Sequence, residues 1–177
     1  MKFKSTNIPG CYFIDTGTFN DNRGRFTKLY KEDSFQQNGI RIPIKEQFFT
    51  LSHKNVLRGM HFQLPPYDHS KIVTCISGSI LDVVLDLRVS SPSYGKCESF
   101  ELSGNSIFIP TGVAHGFLSL ADNSIVFYST STLHMPDCDS GIHWDSFNFN
   151  WPCKSPIVSN RDKNQIIFQQ FNSPFIY

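Results

Sequence analysis

The stretch KIVTCISGSILDVVLDLRV, residues 71–89, carries the clearest structural signal in the chain. It contains two runs rich in β-branched and other apolar residues, and these runs meet at Gly78-Ser79. Runs of this length and composition are typical of β-strands, and a Gly-Ser pair between them suits a tight turn. The stretch therefore predicts two strands joined as a hairpin.

The second of these runs has two chemically different faces. Every other position from Leu81 to Leu87 is aliphatic, whereas the alternate positions include Asp82, Asp86 and Arg88. Since successive strand residues point to opposite sides, the aliphatic face belongs to a core. The mixed face either lines the inside of a ligand-holding barrel or lies against solvent, and alternation leaves both readings open.

The flanking sequence repeats the same pattern of short apolar runs and turn residues. Residues 10–19 read as a strand that leads into a turn at 20–24, residues 105–120 as strand sequence around a turn at Pro110–Gly112, and residues 123–133 as a further strand. Short strands separated by Gly and Pro predict an all-β sandwich or barrel. One short helix is predicted at residues 31–39, with Gly39 at its C-terminal end.

The length, net charge and cysteine content of the chain limit its possible domain organisation and partners. Its 177 residues contain no linker or repeat, which predicts a single domain over 1–177. A net charge of +1, from 16 basic and 15 acidic residues, argues against nucleic acid or an anionic membrane as partner. No signal peptide or long apolar run is present, and five cysteines without a CxxC pair suggest reduced thiols in the cytoplasm.

Titratable residues are concentrated in RGMHFQLPPYDHSK, residues 58–71. Metal sites of double-stranded β-helix (cupin) proteins typically combine an HxH pair with a later histidine. The later part fits, because Pro110, Gly112 and His115 form a PxGxxH pattern, but Gln63 stands where the second histidine of the pair would follow His61. Without three convergent ligands a tight transition-metal site is not expected.

Proton transfer suits the same stretch better. An imidazole is a base at physiological pH, and His61 lies between Met60 and Phe62, where burial and a hydrogen-bond partner are expected. Arg58 and Lys71 bracket it, as an anionic substrate would require, although either cation alone could be ordinary surface charge. A surface or structural role is the default expectation for the remaining histidines, which are His53, His69, His134 and His143.

Five segments then occur in an order that resembles one family. They are NVLRGMHFQLPPYDHSK, SGSILDVVLDLRVSSPSYGK, IPTGVAHGFLSL, FYSTST and GIHWDSFNFNWP. Together they resemble the dTDP-4-dehydrorhamnose 3,5-epimerase family from about Arg23 to Asp162. The resemblance implies an all-β cupin jelly-roll barrel with a few short helices, a homodimer, and no metal or other cofactor. It also implies inversion at C3 and/or C5, beside the 4-keto group of a nucleotide-diphosphate 6-deoxy sugar, most simply a dTDP sugar.

The resemblance also implies a role for each matching residue. His61 matches the base that removes the carbon-bound proton, Asp162 the carboxylate paired with it, and Tyr128 the acid on the opposite face of the sugar. Lys71 matches the cation that neutralises the enolate oxygen. The expected substrate-binding residues are Arg58 and His115 near the diphosphate, Arg23 at the nucleotide, and in addition His69, His134 and Arg161.

Several positions depart from the family pattern. Lys28 replaces a glutamate, Glu46 and Phe48 occupy a QxN-type segment, His134 replaces a stacking aromatic, and His69 replaces a glutamine. These departures fall on substrate recognition and leave the proton-transfer set intact. A CDP- or GDP-linked 4-keto deoxy sugar or heptose, and inversion at one centre only, therefore stay open.

Three other functions also stay open from the sequence. The same barrel supports 4-keto-sugar isomerases, which use a differently arranged histidine pair. A non-catalytic cupin that binds a sugar or nucleotide would not need His61, Lys71, Tyr128 and Asp162 together. A metal-dependent cupin oxygenase would require the ligand set that Gln63 interrupts.

Overall fold

The computed structural model describes residues 1–177, and its regular structure is almost entirely β-strand. The strands are β1 (Lys2–Ser5), β2 (Tyr12–Asp15), β3 (Thr18–Asp21), β4 (Gly24–Thr27), β5 (Glu46–Ser52), β6 (Val56–Gln63), β7 (Lys71–Ser77), β8 (Ile80–Asp86), β9 (Cys97–Leu102), β10 (Ser106–Ile109), β11 (Val113–Ser119), β12 (Ser124–Thr130), β13 (Asp139–Gly141) and β14 (Ile157–Val158). Two short helices, α1 (Glu32–Gln37) and α2 (Asn160–Lys163), and two 3-10 turns, Pro136–Cys138 and Phe168–Gln170, complete the chain. None of the helices is long and apolar enough to cross a lipid bilayer.

The strands form two large sheets. One has the order β1-β2-β10-β7-β12-β5, and the other has the order β13-β6-β11-β8-β9, with β14 alongside β6. All pairs within them are antiparallel except β14 with β6. Strands β3 and β4 form a separate hairpin. The predicted all-β sandwich or barrel is confirmed.

An apolar core fills the space between the two sheets. It includes Val73 and Ile107 from the first sheet and Val84 and Phe117 from the second, all fully buried. Each such side chain contributes about 1.5–3 kcal/mol through removal from water. The alternate residues of β8, including Asp82, therefore point into the barrel, and the barrel-interior interpretation of its mixed face is confirmed.

The outer faces of the sheets are covered as well. Val83, Leu85 and Leu87 pack against Phe147 and Phe175 from the C-terminal third of the chain. On the other sheet, helix α1 buries Phe35 in a cluster of isoleucines and Phe108. Because β8 is covered on both sides, its sequence reads as an almost continuous apolar run.

The predicted hairpin at residues 71–89 is wrong in its pairing, although both strands and the turn are present. β7 pairs with β10 and β12, whereas β8 pairs with β9 and β11. The chain crosses from one sheet to the other at Gly78, which has φ of +78° and lies against Ser124. A Cβ there would lie 2.5 Å from the Ser124 hydroxyl, so the crossing requires glycine.

The single strand predicted at residues 10–19 is also wrong, because the chain breaks at Gly17 (φ +69°). β2 joins the first sheet, and β3 leaves it to form the hairpin with β4, whose tip is the predicted turn. The predicted helix is confirmed as α1, with Gly39 (φ +75°) just beyond its end. The predicted turn at Pro110–Gly112 separates β10 from β11.

A buried ion pair fastens the end of β8. Asp86 accepts hydrogen bonds from the Arg88 backbone N–H (3.0 Å) and from Arg88 Nε and Nη2 (both 2.8 Å), and from the hydroxyls of Ser91 and Ser93 (both 2.6 Å). Burial on its own would raise the pKa of Asp86, but these donors outweigh it and the pKa lies below its usual value. Arg88 also donates to the Pro9 carbonyl (2.9 Å), which ties the N-terminal segment to the barrel.

This network predicts a large effect of Asp86→Ala on stability. Removing one partner of a buried pair leaves Arg88 uncompensated, so we expect the free energy of unfolding in urea to fall by about 3–5 kcal/mol. The matched control is Asp21→Ala, which removes the other Asp-x-Arg ion pair, Asp21–Arg23, at an exposed position. That variant should unfold like the wild type, because exposed pairs contribute little. Equal losses in the two variants would contradict the assignment.

Candidate active site

A cavity of about 360 Å³ opens between the sheets and is lined mostly by polar side chains. Strands β5, β6, β7, β11 and β12 contribute to its walls, together with the segment that follows β12. Eight of the residues selected from the sequence line it, namely Arg58, His61, His69, Lys71, His115, Tyr128, His134 and Arg161. Asp162 lies directly behind His61, so the structure brings nine of the ten selected residues to one place.

A β-bulge in β6 puts two of these residues on one wall. Arg58 pairs with Phe117, and His61 pairs with His115. A step of three residues along β6 therefore matches a step of two along β11, which leaves one extra residue in β6. In a regular strand, residues three apart point to opposite sides, and the extra residue brings Arg58 and His61 to the same side. Gly59 makes the bulge possible, because a Cβ there would lie 2.4 Å from the Gly116 Cα.

The Asp162 carboxylate orients His61. Its Oδ1 lies 2.7 Å from His61 Nε2, and its Oδ2 accepts the Gly59 N–H at 3.1 Å. Burial on its own would raise the pKa of Asp162, but hydrogen bonds from His61 and Gly59 outweigh it and keep the pKa below its usual value. An ionised carboxylate only accepts, so His61 directs an Nε2–H at Asp162, and no protein group pairs with its Nδ1.

Asp162 is itself held by helix α2. The side chain of Ser159 caps this helix by accepting the Asp162 backbone N–H at 3.1 Å. Strand β14, which precedes the helix, pairs with the start of β6. The C-terminal segment that contains Asp162 is therefore held against the strand that contains His61.

Lys71 is buried beside His61. Its Nζ donates to the His61 carbonyl oxygen at 3.2 Å. Burial lowers the pKa of Lys71 to about 8, although the carboxylates of Asp82 and Asp139 act in the opposite direction. The ammonium form therefore predominates at neutral pH, with a proton that is more acidic than that of an exposed lysine.

Asp82 is a site residue that was not predicted from the sequence. It is fully buried, its Oδ2 accepts His115 Nε2–H at 2.7 Å, and its Oδ1 has no hydrogen-bond partner. Burial lowers the pKa of His115 despite this carboxylate, which keeps its imidazole neutral. Its place on the mixed face of β8 was the signal that could have identified it.

Tyr128 stands on the wall opposite His61, since β12 and β6 belong to different sheets. It is buried, and burial raises the pKa of its hydroxyl well above the usual value, so the phenol stays protonated. Phe48 stacks on its ring, with centroids 4.7 Å apart and planes at 13°, and the His115 ring meets it edge-on. These contacts hold the phenol in place.

Charged and polar groups surround the remaining cavity wall. Arg161 forms an ion pair with Asp139 at 2.7 Å, and the His134 backbone N–H donates to Glu46 at 2.6 Å. Arg58 donates from Nε to the Ser52 hydroxyl at 3.1 Å, which leaves further guanidinium N–H groups for a ligand. No three His, Cys, Asp or Glu side chains are grouped as a metal site requires, and all five cysteines are unpaired.

Arg23 does not line the cavity of its own chain. It lies at the tip of the β3–β4 hairpin, where its side chain is 84% exposed and forms an ion pair with Asp21 at 2.6 Å. The β3–β4 hairpin contacts the far end of β7, where Arg25 donates to the Ile76 carbonyl at 2.9 Å. Within one chain, the predicted nucleotide contact of Arg23 is therefore absent.

The chain matches a family model described as dTDP-4-dehydrorhamnose 3,5-epimerase over residues 5–170. A dTDP-4-dehydrorhamnose 3,5-epimerase from Methanothermobacter thermautotrophicus is 37% identical over 93% of this chain and 92% of its own. The chain belongs to the dTDP-4-dehydrorhamnose 3,5-epimerase family. The Streptomyces niveus dTDP-4-dehydrorhamnose 3-epimerase is 31% identical over 96% of this chain and 85% of its own.

A solved structure supports the same family at the level of the fold. The 3,5-epimerase of Legionella pneumophila, described in complex with dTDP-4-keto-L-rhamnose, superposes with a TM-score of 0.93. The match covers 99% of this chain and 98% of that one at 26% identity. The expected cupin-type barrel is thereby confirmed.

The buried environment of Lys71 predicts how its ammonium titrates. We expect NMR of ¹³C-labelled lysine to show one side chain that loses its proton near pH 8, well below the others. Asp82→Asn keeps an acceptor for His115 but removes the larger of the two stabilising charges, so the same signal should titrate at lower pH. An unchanged midpoint in that variant would show that Asp82 does not act on Lys71.

Proposed function

We propose that the protein is a cofactor-independent epimerase that inverts C3, C5 or both in a nucleotide-diphosphate 4-keto-6-deoxy sugar. The observation that carries this proposal is the placement of a base and an acid on opposite walls of one cavity. His61 offers its unpaired Nδ1 from one sheet, and Tyr128 offers a protonated hydroxyl from the other. Inversion at carbon needs proton removal and proton delivery from opposite faces of the sugar.

The first step is removal of the proton beside the ketone. His61 Nδ1 takes that proton, and the electron pair of the C–H bond moves to form the enolate, with negative charge on the former ketone oxygen. Lys71 supplies the cation at that oxygen. General base catalysis is worth about 100- to 10,000-fold, and a positioned donor at a developing oxyanion about 3–4 kcal/mol.

The second step returns a proton from the other side. Tyr128 donates its hydroxyl proton to the same carbon as the enolate collapses to the ketone, which leaves a tyrosinate and a protonated His61. Asp162 stabilises that imidazolium through the Nε2–H contact at 2.7 Å. Exchange of both groups with solvent restores the starting state, so no redox equivalent or cofactor is consumed.

Two arginines and two histidines on the cavity wall suit a nucleotide diphosphate. We assign Arg58, Arg161, His115 and His134 to the diphosphate and neighbouring sugar groups, and His69 to the sugar beside Lys71. A dTDP sugar is the leading substrate, because the family and the ligand of the Legionella pneumophila structure both point to it. Glu46 and Phe48 alter the nucleotide-recognition segment, so CDP and GDP sugars are the alternatives to test.

Inversion at one centre is the second candidate. The Streptomyces niveus relative is named as a 3-epimerase, so membership of the family does not decide the number of centres. A merely ligand-binding cupin is less well supported, because nothing in ligand binding requires a buried lysine, a carboxylate-oriented histidine and an opposed buried tyrosine together.

We further propose that two copies form a homodimer. The β3–β4 hairpin exposes Phe19 and Phe26, and the edge strand β5 exposes Phe49 and Leu51. Apolar side chains on a projecting hairpin and an unpaired sheet edge are features that association covers. Arg23 could reach a nucleotide only if the hairpin of one copy extends to the cavity of another. A measured mass in solution near 20.2 kDa would contradict the dimer.

Exchange with deuterated solvent tests the reaction. We expect ¹H NMR to show loss of the C3 or C5 proton when a 4-keto-6-deoxy sugar linked to dTDP, CDP or GDP is incubated with the protein in D₂O. His61→Ala should abolish exchange at every carbon, because no other group removes the proton. His53→Ala, at an exposed position outside the cavity, is the matched control. No exchange with any of the three nucleotides would overturn the proposal.

The same assay separates the base from the acid. Tyr128→Phe keeps the aromatic ring but removes the donated proton, so exchange with retention should continue while the inverted product decreases strongly. The ratio of exchange to inversion, followed by NMR, measures the difference. Equal losses of exchange and inversion would show that Tyr128 does not deliver the second proton.

A further inference from the structure

Two histidines eight residues apart, His61 and His69, line the cavity. One contacts a hydrogen-bond acceptor and the other contacts a side-chain amide. His61 meets the Asp162 carboxylate, which only accepts hydrogen bonds, and it therefore presents a lone pair to the cavity. His69 meets the side-chain amide of Gln63, with His69 Nδ1 and Gln63 Nε2 at 3.1 Å. What His69 presents to the cavity depends on which end of the Gln63 amide faces it.

The orientation of the Gln63 amide is determined by its other contacts. Its Oε1 accepts the Met135 backbone N–H at 2.6 Å, so that atom must be the oxygen. Its Nε2 donates to the Tyr67 carbonyl at 2.7 Å and also lies 3.2 Å from the Leu133 carbonyl. Gln63 is buried, and exchanging the two ends would place an N–H against an N–H and an oxygen against carbonyls.

The amide therefore determines the tautomer of His69. An amide nitrogen cannot accept, so a proton on His69 Nδ1 would face the Gln63 N–H group at 3.1 Å, and the contact favours the ring proton on Nε2. The Thr132 hydroxyl, 3.4 Å from Nδ1, is a longer contact and donates instead to the Tyr67 carbonyl at 3.0 Å. No protein group pairs with His69 Nε2, which leaves its N–H for a ligand in the cavity.

His69 stays neutral for two physical reasons. Burial lowers the pKa of His69 to about 3, and the nearby positive charges of Lys71 and His134 act in the same direction. A neutral imidazole fixed as the Nε2–H tautomer is a hydrogen-bond donor throughout the neutral pH range. It cannot serve as a base through that nitrogen, in contrast to His61.

The position of His69 places this donor beside the cation. His69 lies two residues before Lys71, and the chain between them is extended, because Ser70 continues the pairing to Ser131. Alternate residues of an extended chain point to the same side, and both side chains line the cavity. An oxygen that accepts from Lys71 is therefore also close to His69.

We propose that Gln63 fixes His69 as the Nε2–H tautomer and that this N–H is a second donor, with the Lys71 ammonium, to the substrate oxygen on which the enolate charge develops. The proposal rests on the epimerase function proposed above. A neutral donor adds stabilisation there without a second positive charge beside Lys71. The negative oxygen of the transition state strengthens this hydrogen bond, so it acts mainly on the rate of reaction.

The tautomer can be measured without any substrate. In protein labelled with ¹⁵N-histidine, long-range ¹H–¹⁵N correlation at pH 7 should show His69 as Nε2–H with an unprotonated Nδ1. The signal is assigned by its loss in His69→Phe. Gln63→Met, which removes the amide, should shift the two nitrogens toward a mixture of tautomers. An Nδ1–H tautomer or a charged His69 in the wild type would overturn the proposal, whether or not Gln63→Met folds.

Steady-state kinetics test the role in the reaction. His69→Phe removes the donor, and we expect kcat to fall by about 100-fold, as for loss of one oxyanion donor, with KM changed little. His69→Gln restores an N–H donor and should recover most of kcat. A purely structural role would not be rescued in this way, and thermal unfolding of both variants shows whether the fold is retained.

Each outcome decides between the two proposals. An unchanged kcat in His69→Phe, or a raised KM with normal kcat, would overturn the enolate role while the epimerase function stands. A wild-type protein that exchanges no substrate proton would overturn the epimerase function, and the enolate role with it. The tautomer measurement would still report on Gln63 and His69 in that case. His53→Phe, at an exposed position, is the control for the change of residue type.

Discussion

The arrangement of the site depends on the close approach of β6 and β11 at Gly59 and Gly116. No side chain fits between these two strands, since a Cβ on Gly59 would lie 2.4 Å from the Gly116 Cα. The bulge that this approach accommodates brings Arg58 and His61 to the same wall. It also aims the Gly59 N–H at Asp162, the carboxylate that orients His61. One local irregularity thus brings Arg58, His61 and Asp162 together at one wall of the cavity.

The parts of the fold that were predictable are those determined by local sequence. Alternation and turn residues predicted β7, β8, β10 and β12, and helix α1 ends where Gly39 indicated. The pairing of β7 with β8 was wrong, because a hairpin and a crossing between sheets have the same local pattern. The bulge in β6 was not predictable either, since it is defined by the partner strand and not by β6 alone.

The same distinction applies to the site. Eight of the selected residues line the cavity, and Asp162 joins them by a contact 101 residues apart in sequence that only the family resemblance suggested. Asp82 was placed on a strand face that alternation left open between the barrel interior and solvent, and its pairing with His115 was not predicted, because that contact joins two strands. Arg23 is the exception, because it does not line the cavity of its own chain. Its predicted role would require the cavity of a second copy.

Gln63 shows how one residue can serve a site without touching the reaction. A histidine at this position would complete an HxH pair with His61 and move the site toward metal binding. Glutamine instead turns its side chain to the Met135 N–H and the Tyr67 carbonyl, and its amide donates to His69. A carboxylate behind one histidine leaves a lone pair in the cavity, and an amide N–H behind the other leaves a proton there. The chemistry of two identical side chains is thus set by the polarity of the groups behind them.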